Sequence, residues 1–147
     1  MIDNTKQYAI DASVVLSFLL PDEINQEQAR KLFSEYSKGK LRFIAPLLLN
    51  CEITNGLKTA IIRKRISLKR GKQLLEQFLK LKIALIGGEN FTQVLELAIE
   101  YGISAYDAEY VSLAKKEECQ LLTADKKLIN QIGKRYSSIK LLVDLKI

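Results

Sequence analysis

Apolar residues come in two kinds of run along this chain. Short runs recur at Tyr8-Ala9-Ile10, Leu41-Arg42-Phe43-Ile44, Leu81 to Ile86, Gln120-Leu121-Leu122-Thr123 and Ile139 to Val143. Each is too short for a helix and reads as a strand. Between them lie stretches in which apolar positions return every three or four residues, the period of a helix with one buried face. These predict helices over Ala12 to Leu20, stopped by Pro21; over about Asn25 to Ser37, closed by Gly39; and from Pro46 to about Arg65. Further helices follow from a Ser67 cap to about Lys80, from about Asn90 to Tyr101 before Gly102, from a Ser104 cap to about Glu117, and from Asp125 to Gly133. No linker, internal repeat or low-complexity segment interrupts the series. Five short apolar strands separated by helices predict an α/β fold: a three-layer α/β/α sandwich around a five-stranded parallel sheet. Such sheets bind ligands beyond the C-terminal ends of the strands, where the strand order reverses. Acids that directly follow a strand therefore carry more weight than acids elsewhere.

The 147 residues, 48% of them hydrophobic, fit one domain spanning 1–147. No apolar run approaches the roughly 18 residues of a membrane helix, and the first residues lack the basic-then-apolar layout of a signal peptide. The expectation is a soluble, cytoplasmic protein, with Cys51 and Cys119 as small core residues in a reducing compartment. The chain contains no histidine. That removes Ser-His and Cys-His nucleophile pairs, His-ligated zinc and any His general base. Catalysis, if present, runs on carboxylates, Lys, Tyr, backbone groups or a metal held by oxygen. The net charge of +6 and pI near 9.3 are compatible with a polyanionic partner.

Four acids stand out. Asp11 follows the first strand, where it either caps the next helix or occupies the ligand edge of the sheet. Glu52 shares a polar helical stripe with Asn55 and Thr59, opposite the apolar stripe Leu49, Ile53, Leu57 and Ala60; such a stripe is either a solvated face or part of a site. Asp107 lies on one helical face with Tyr110, Val111 and Ala114, so it points inward unless it serves only as the far end of a Ser104-x-x-Asp107 capping box. Asp125 follows the fourth strand and is again a cap or a site acid. Four acids near one sheet edge repel one another strongly. A hard divalent cation, Mg²⁺ or Mn²⁺, resolves that repulsion with oxygen ligands and supplies chemistry suited to phosphodiester hydrolysis.

These residues carry a resemblance that covers nearly the whole chain. Ile10-Asp11-Ala12-Ser13, the helix opening Pro46-Leu47-Leu48-Leu49-Asn50-Cys51-Glu52-Ile53-Thr54-Asn55, the segment Ser104-Ala105-Tyr106-Asp107-Ala108-Glu109-Tyr110-Val111 and Leu121-Leu122-Thr123-Ala124-Asp125 together resemble, in order, the motifs of the PIN-domain ribonucleases, and most closely the VapC-type toxins of toxin–antitoxin pairs. The resemblance implies a sheet order of 3-2-1-4-5, which sets Asp11 and Asp125 on adjacent strands. It implies Mg²⁺- or Mn²⁺-dependent endoribonuclease activity with Asp11, Glu52, Asp107 and Asp125 as catalytic and metal-binding acids, and Ser13, Asn55 and Thr123 as groups that orient them. RNA substrate, a cognate antitoxin and a homodimer are the implied partners. Glu109 departs from the pattern, which leads one to expect a small or apolar residue there; helical geometry turns it away from Asp107, outside catalysis.

Other readings fit less well. A phosphotransfer receiver needs an Asp after the third strand, where this chain has Leu85-Ile86-Gly87-Gly88, and a haloacid-dehalogenase-like phosphatase needs an Asp where it has Ser13. The remaining alternative is a catalytically inactive RNA- or protein-binding module of the same fold. For contact with a polyanion, the basic run Arg63-Lys64-Arg65, continued by Lys69, Arg70 and Lys72, competes with Lys126 and Lys127, which adjoin Asp125.

Overall fold

A computed structural model describes residues 3–147. Its elements run β1 (Lys6–Ile10), α1 (Ala12–Leu19), α2 (Gln26–Ser37), β2 (Leu41–Pro46), α3 (Leu48–Ile62), α4 (Leu68–Lys80), β3 (Ala84–Ile86), α5 (Phe91–Tyr101), α6 (Ala105–Lys116), β4 (Gln120–Thr123), α7 (Lys126–Ile132) and β5 (Ile139–Leu141). The five strands are all parallel and lie in the order β3-β2-β1-β4-β5, the order that the resemblance implies. The chain works outward from β1 to β3, returns across the sheet to β4 and continues outward to β5. The reversal therefore falls between β1 and β4. Right-handed crossovers place α1 to α4 on one face of the sheet and α5 to α7 on the other. Accordingly α1 packs on α2 and α3, and α3 on α4, while α5 and α6 form a separate pair with α6 lying across β1, β2 and β4.

Successive residues of the central strands are buried, as they must be when helices cover both faces. Ala9, Ile10, Leu121 and Leu122 are fully enclosed, together with Val14 and Val15 of α1, Leu49 and Ile53 of α3, and Val111 and Ala114 of α6. An aromatic group closes the α2 side of the sheet. Phe33 stacks on Phe18 at 4.3 Å between ring centres and meets Phe43 at 5.2 Å. Tyr36 stacks on Phe43 at 4.6 Å and donates its hydroxyl proton to the Leu81 carbonyl oxygen. The helix ends follow local chemistry: Ser67, Asn90 and Ser104 accept backbone N–H groups at helix starts, and Gly102 ends α5 in the left-handed conformation at φ 64°.

Four sequence expectations change. Pro46, expected to open a helix reaching about Arg65, is the last residue of β2, and α3 runs from Leu48 to Ile62. The third strand begins at Ala84 rather than Leu81, because α4 runs to Lys80 and the chain turns through Lys82 at φ 52°. The fifth strand stops at Leu141, and Leu142–Asp144 form a 3₁₀ turn that buries Leu142. Cys51 is exposed and Cys119 half-buried, so neither thiol is a core residue. Cys51 lies two positions from Leu49 on α3, which turns it about 200° away from the buried stripe.

Phe33 is 3% exposed and touches three aromatic rings. Phe33→Ala is expected to lower stability by about 3–5 kcal/mol. Urea unfolding at pH 7, with the slope against denaturant unchanged, is the check.

Candidate active site

The site is built where β1 and β4 end. The ladder between them extends one residue past β1, the Asp11 N–H donating to the Leu122 carbonyl at 3.2 Å. Asp11 then caps α1, accepting the Val14 N–H at 3.3 Å. Ser13, the second residue of α1, donates its hydroxyl proton to Asp11 Oδ1 and accepts the Ala124 N–H at 2.8 Å. The Thr123 hydroxyl lies 3.3 Å from Ser13 Oγ and is also turned to Asp11, whose charge it favours. Thr123 Oγ1 in turn accepts the Asp125 N–H at 3.0 Å, and Asp125 caps α7 by accepting the Lys127 N–H at 2.9 Å. Two hydroxyls thus stitch the loop after β1 to the loop after β4. For Asp11 and Asp125, capping and placement at the sheet edge are one arrangement rather than alternatives.

Asp11 is almost wholly buried. Burial pushes its carboxyl up to about 6, against the hydrogen bonds from Ser13, Thr123 and the Val14 N–H, and the charge of Asp107 adds to the rise. Asp107 is half-buried on α6. Burial raises its pKa and Asp125 raises it further, while the Ser104 hydroxyl and Lys127 oppose them. Its N–H donates to Ser104 Oγ at 3.0 Å, so the cap at Ser104 and the inward carboxylate coexist. Glu52 reaches the same region from α3. Burial raises its pKa, Tyr110 opposes the rise and Asp107 reinforces it. Glu52 Oε1 and the Tyr110 hydroxyl are buried beside each other, yet neither closes a hydrogen bond of good geometry. Asp107 is the hub: it acts electrostatically on Asp11 and Glu52 and feels Asp125. α1 packs closely on α3 at Gly56. A methyl group at Gly56 would meet the δ-carbons of Leu16 at 2.5 and 2.9 Å.

The other sequence candidates are dispersed. Asn55 is exposed, one turn beyond Glu52. Lys127 lies close enough to Asp107 to stabilise its charge, and Lys126 is exposed beside it. Arg63 and Lys64 are exposed at the far end of α3, about 16 Å along the helix axis from Glu52. Arg65 is engaged as a fork: it donates to both Asp22 oxygens at 2.6 and 2.8 Å and to Glu23 at 2.9 Å, tying the end of α3 to the loop after α1. Two residues escaped sequence reasoning. Tyr110 read as core, but it backs Glu52. Glu109 does turn away from Asp107, yet it enters a cleft beside Glu52 instead of open solvent. Its one sequence signal was a charge in a motif where none was expected.

Among the described residues, no three acidic or thiol side chains stand at ligating distance of one point. The four acids nevertheless suit a hard cation. Asp11, Glu52 and Asp107 all have raised pKa values, a neighbouring carboxylate charge contributes to each rise, and none of the salt bridges among the described residues involves any of the four acids.

The rise at Asp11, from 3.8 to about 6, has a consequence for folding. The unfolded chain holds fewer protons than the native one between those values, so the stabilising contribution is complete below about pH 4 and is lost as pH rises through 6. The gap corresponds to about 3 kcal/mol of strain above pH 7. Asp11→Asn keeps an acceptor for Ser13 and Val14 without the charge. In EDTA it is expected to be more stable than wild type at pH 8 by about 2–3 kcal/mol, with the difference shrinking towards pH 4. Urea unfolding at the two pH values measures it.

Known proteins resemble this chain in sequence and fold. A sequence profile described as PIN domain matches residues 8–134. A VapC ribonuclease of Mycobacterium bovis is 34% identical over 122 residues, covering 81% of this chain and 86% of its own. Ribonuclease VapC3 of Pyrobaculum aerophilum is 28% identical over 123 residues, covering 81% and 89%. Among solved structures, PAE2754 from Pyrobaculum aerophilum superposes with a TM-score of 0.70 at 20% identity, covering 94% of this chain and 92% of that one. VapC20 of Mycobacterium tuberculosis, described as a sarcin-ricin loop cleaving toxin, superposes at 0.61 with 12% identity over 84% and 93%. The profile spans most of the chain, including the loops after β1 and β4 and the helices that bear Glu52 and Asp107, and on that evidence the chain belongs to the PIN-domain family.

Proposed function

We propose that the protein is a divalent-metal-dependent endoribonuclease, the toxin of a toxin–antitoxin pair. The observation that carries the reading is the grouping of Asp11, Glu52 and Asp107, each destabilised as an anion by burial and by a neighbouring carboxylate, with Asp125 at the rim. The VapC ribonucleases among its relatives support the same reading.

Asp11, Glu52, Asp107 and Asp125 would hold Mg²⁺ or Mn²⁺, which when bound supplies Lewis acidity toward a phosphodiester and makes water a stronger nucleophile. The rest is the work of the chain. Ser13 and Thr123 fix the Asp11 carboxylate through their hydroxyls, so that it need not reorganise as charge develops on the phosphate. Tyr110 walls off the far side of Glu52 and keeps bulk water from it. Lys127, with Lys126, adds positive charge on the solvent side of the acids, where a phosphate would approach. Arg63 and Lys64 would meet RNA only at a distance from the cleaved bond, and Asn55 would orient a ligand at the mouth of the site.

The surface suits the partners expected of such a toxin. Phe91, Leu95 and Ile99 expose an apolar stripe on α5, fit to cover a second copy in a homodimer. A groove between α3 and α4, flanked by exposed Ile62 and Leu68 and by Lys58 and Lys72, suits an amphipathic acidic segment such as an antitoxin. No helix of the described residues is long and apolar enough to cross a membrane, which accords with action in the cytoplasm.

RNA cleavage by the purified, antitoxin-free protein tests the reading. Cleavage is expected with Mg²⁺ or Mn²⁺, to stop in EDTA, and to fall by at least about a hundredfold in Asp11→Asn. Mn²⁺ should also raise the melting temperature of wild type and not of Asp11→Asn. Equal cleavage by the two proteins would remove the site assignment. Absence of both cleavage and metal stabilisation would favour the inactive binding module.

A further inference from the structure

A second cavity adjoins the acids. It holds about 350 Å³ beyond the ends of β2 and β3, between the Gly87-Gly88 turn, the start of α5 and one side of α6. That is the low end of the range for small-ligand sites. One wall is apolar, formed by Pro46, Ile86 and Leu113. The other is polar and chemically divided. Glu109 enters it with Glu89 nearby, and Glu52 lies on the far side of Glu109. Asn90, Gln93 and Lys116 also line it. Asn90 Oδ1 is spent capping α5, accepting the Gln93 N–H at 3.1 Å. Gln93 Oε1 is spent accepting the hydroxyl proton of buried Ser112 at 2.9 Å. Both amides therefore present their NH₂ groups, and Lys116 adds an ammonium. None of the salt bridges among the described residues involves Glu52, Glu89, Glu109 or Lys116. The lining of the cleft thus combines carboxylate acceptors, N–H donors and apolar surface.

We propose that this cleft seats one base of the RNA beside the cleaved bond, and that Glu109 makes guanine the preferred base by accepting its N1–H and N2–H₂ protons. The proposal rests on the ribonuclease reading above. Guanine has two adjacent donors that match both oxygens of one carboxylate, and its O6 needs a donor of the kind Asn90, Gln93 and Lys116 provide. Cytosine and adenine offer the carboxylate one amino group next to a ring acceptor. Uracil offers a single N3–H set between two carbonyl oxygens, so a carboxylate that accepts that proton also faces a carbonyl oxygen, which neighbouring carboxylates make repulsive. Single-stranded RNA is read by splaying a base out and bonding its Watson–Crick edge, and Pro46, Ile86 and Leu113 supply the surface on which the base would lie. Glu109 acts here as a specificity residue.

The test has two arms. In the first, wild type, Glu109→Gln and Glu89→Gln cleave a random single-stranded RNA pool with Mn²⁺ present, and the new ends are sequenced. Wild type is expected to enrich guanine at one fixed position next to the cut, and Glu109→Gln to flatten that preference by roughly tenfold, the size of one lost bidentate contact. In the second arm, Asp11→Asn, alone and with Glu109→Gln, binds short RNAs differing only in guanine or uracil, followed by fluorescence anisotropy. Guanine preference that disappears with Glu109→Gln supports the cleft assignment even if no RNA is cut; absence of cleavage then counts against the ribonuclease reading alone. Melting temperatures show that each variant is folded. A guanine preference that survives Glu109→Gln, or no base preference in either arm, overturns the proposal.

Discussion

Two hydroxyl groups hold the centre of this molecule together. Ser13 and Thr123 bridge the ends of the two central strands, and they do so around a carboxylate that burial makes unwilling to carry charge. Everything at the sheet edge depends on that bridge. Without it, Asp11 would face burial with only the Val14 N–H as partner, and the loop bearing Asp125 would lose the bond from the Ala124 N–H to Ser13. The stitch works because strand order reverses between β1 and β4. The two loops leave the sheet on opposite faces, and the gap between them is open to a ligand.

The acids at this edge come from four elements of unlike kind: the ends of two strands, one turn of α3 and the first turn of α6. None gains its position at another's expense. Asp11, Asp107 and Asp125 each serve a helix start as well as the site, by accepting a backbone N–H or by donating one to the cap. Local helix chemistry and the assembly of negative charge thus reinforce each other up to the point where the charges meet. There the raised pKa values show that repulsion and desolvation outweigh the hydrogen bonds.

Much of this was legible in the chain itself, because its strongest signals are local. Helix stops at Pro21 and Gly102, caps at Ser67 and Ser104, and apolar strands buried on both faces leave their marks in single residues and short periods. The sheet order was not local and came from resemblance. Where the reading slipped, periodicity had no power to decide. Leu81 to Ile83 are as apolar as a strand, but the reach of α4 to Lys80 claims them for a turn. Leu142 is buried equally well in a 3₁₀ turn. Glu109 points away from Asp107 as the helical wheel says, but a wheel does not know that the Gly87-Gly88 turn rises to enclose that side. Tyr110 and Glu52 meet across two helices, a contact that no spacing within one helix encodes.

Gly56 carries a consequence for anyone wishing to strengthen this protein. In the middle of a helix, glycine is the residue an engineer replaces first, since alanine is worth about 0.5–1 kcal/mol there. Here the hydrogen at position 56 is what lets the Leu16 side chain lie against α3. A methyl would push the Leu16 side chain out of that position, so part of the gain in helix propensity is lost in the contact between α1 and α3. Thermostabilisation of α3 belongs on its solvent side, at Thr54, where a gain in helix propensity leaves the Leu16 contact untouched.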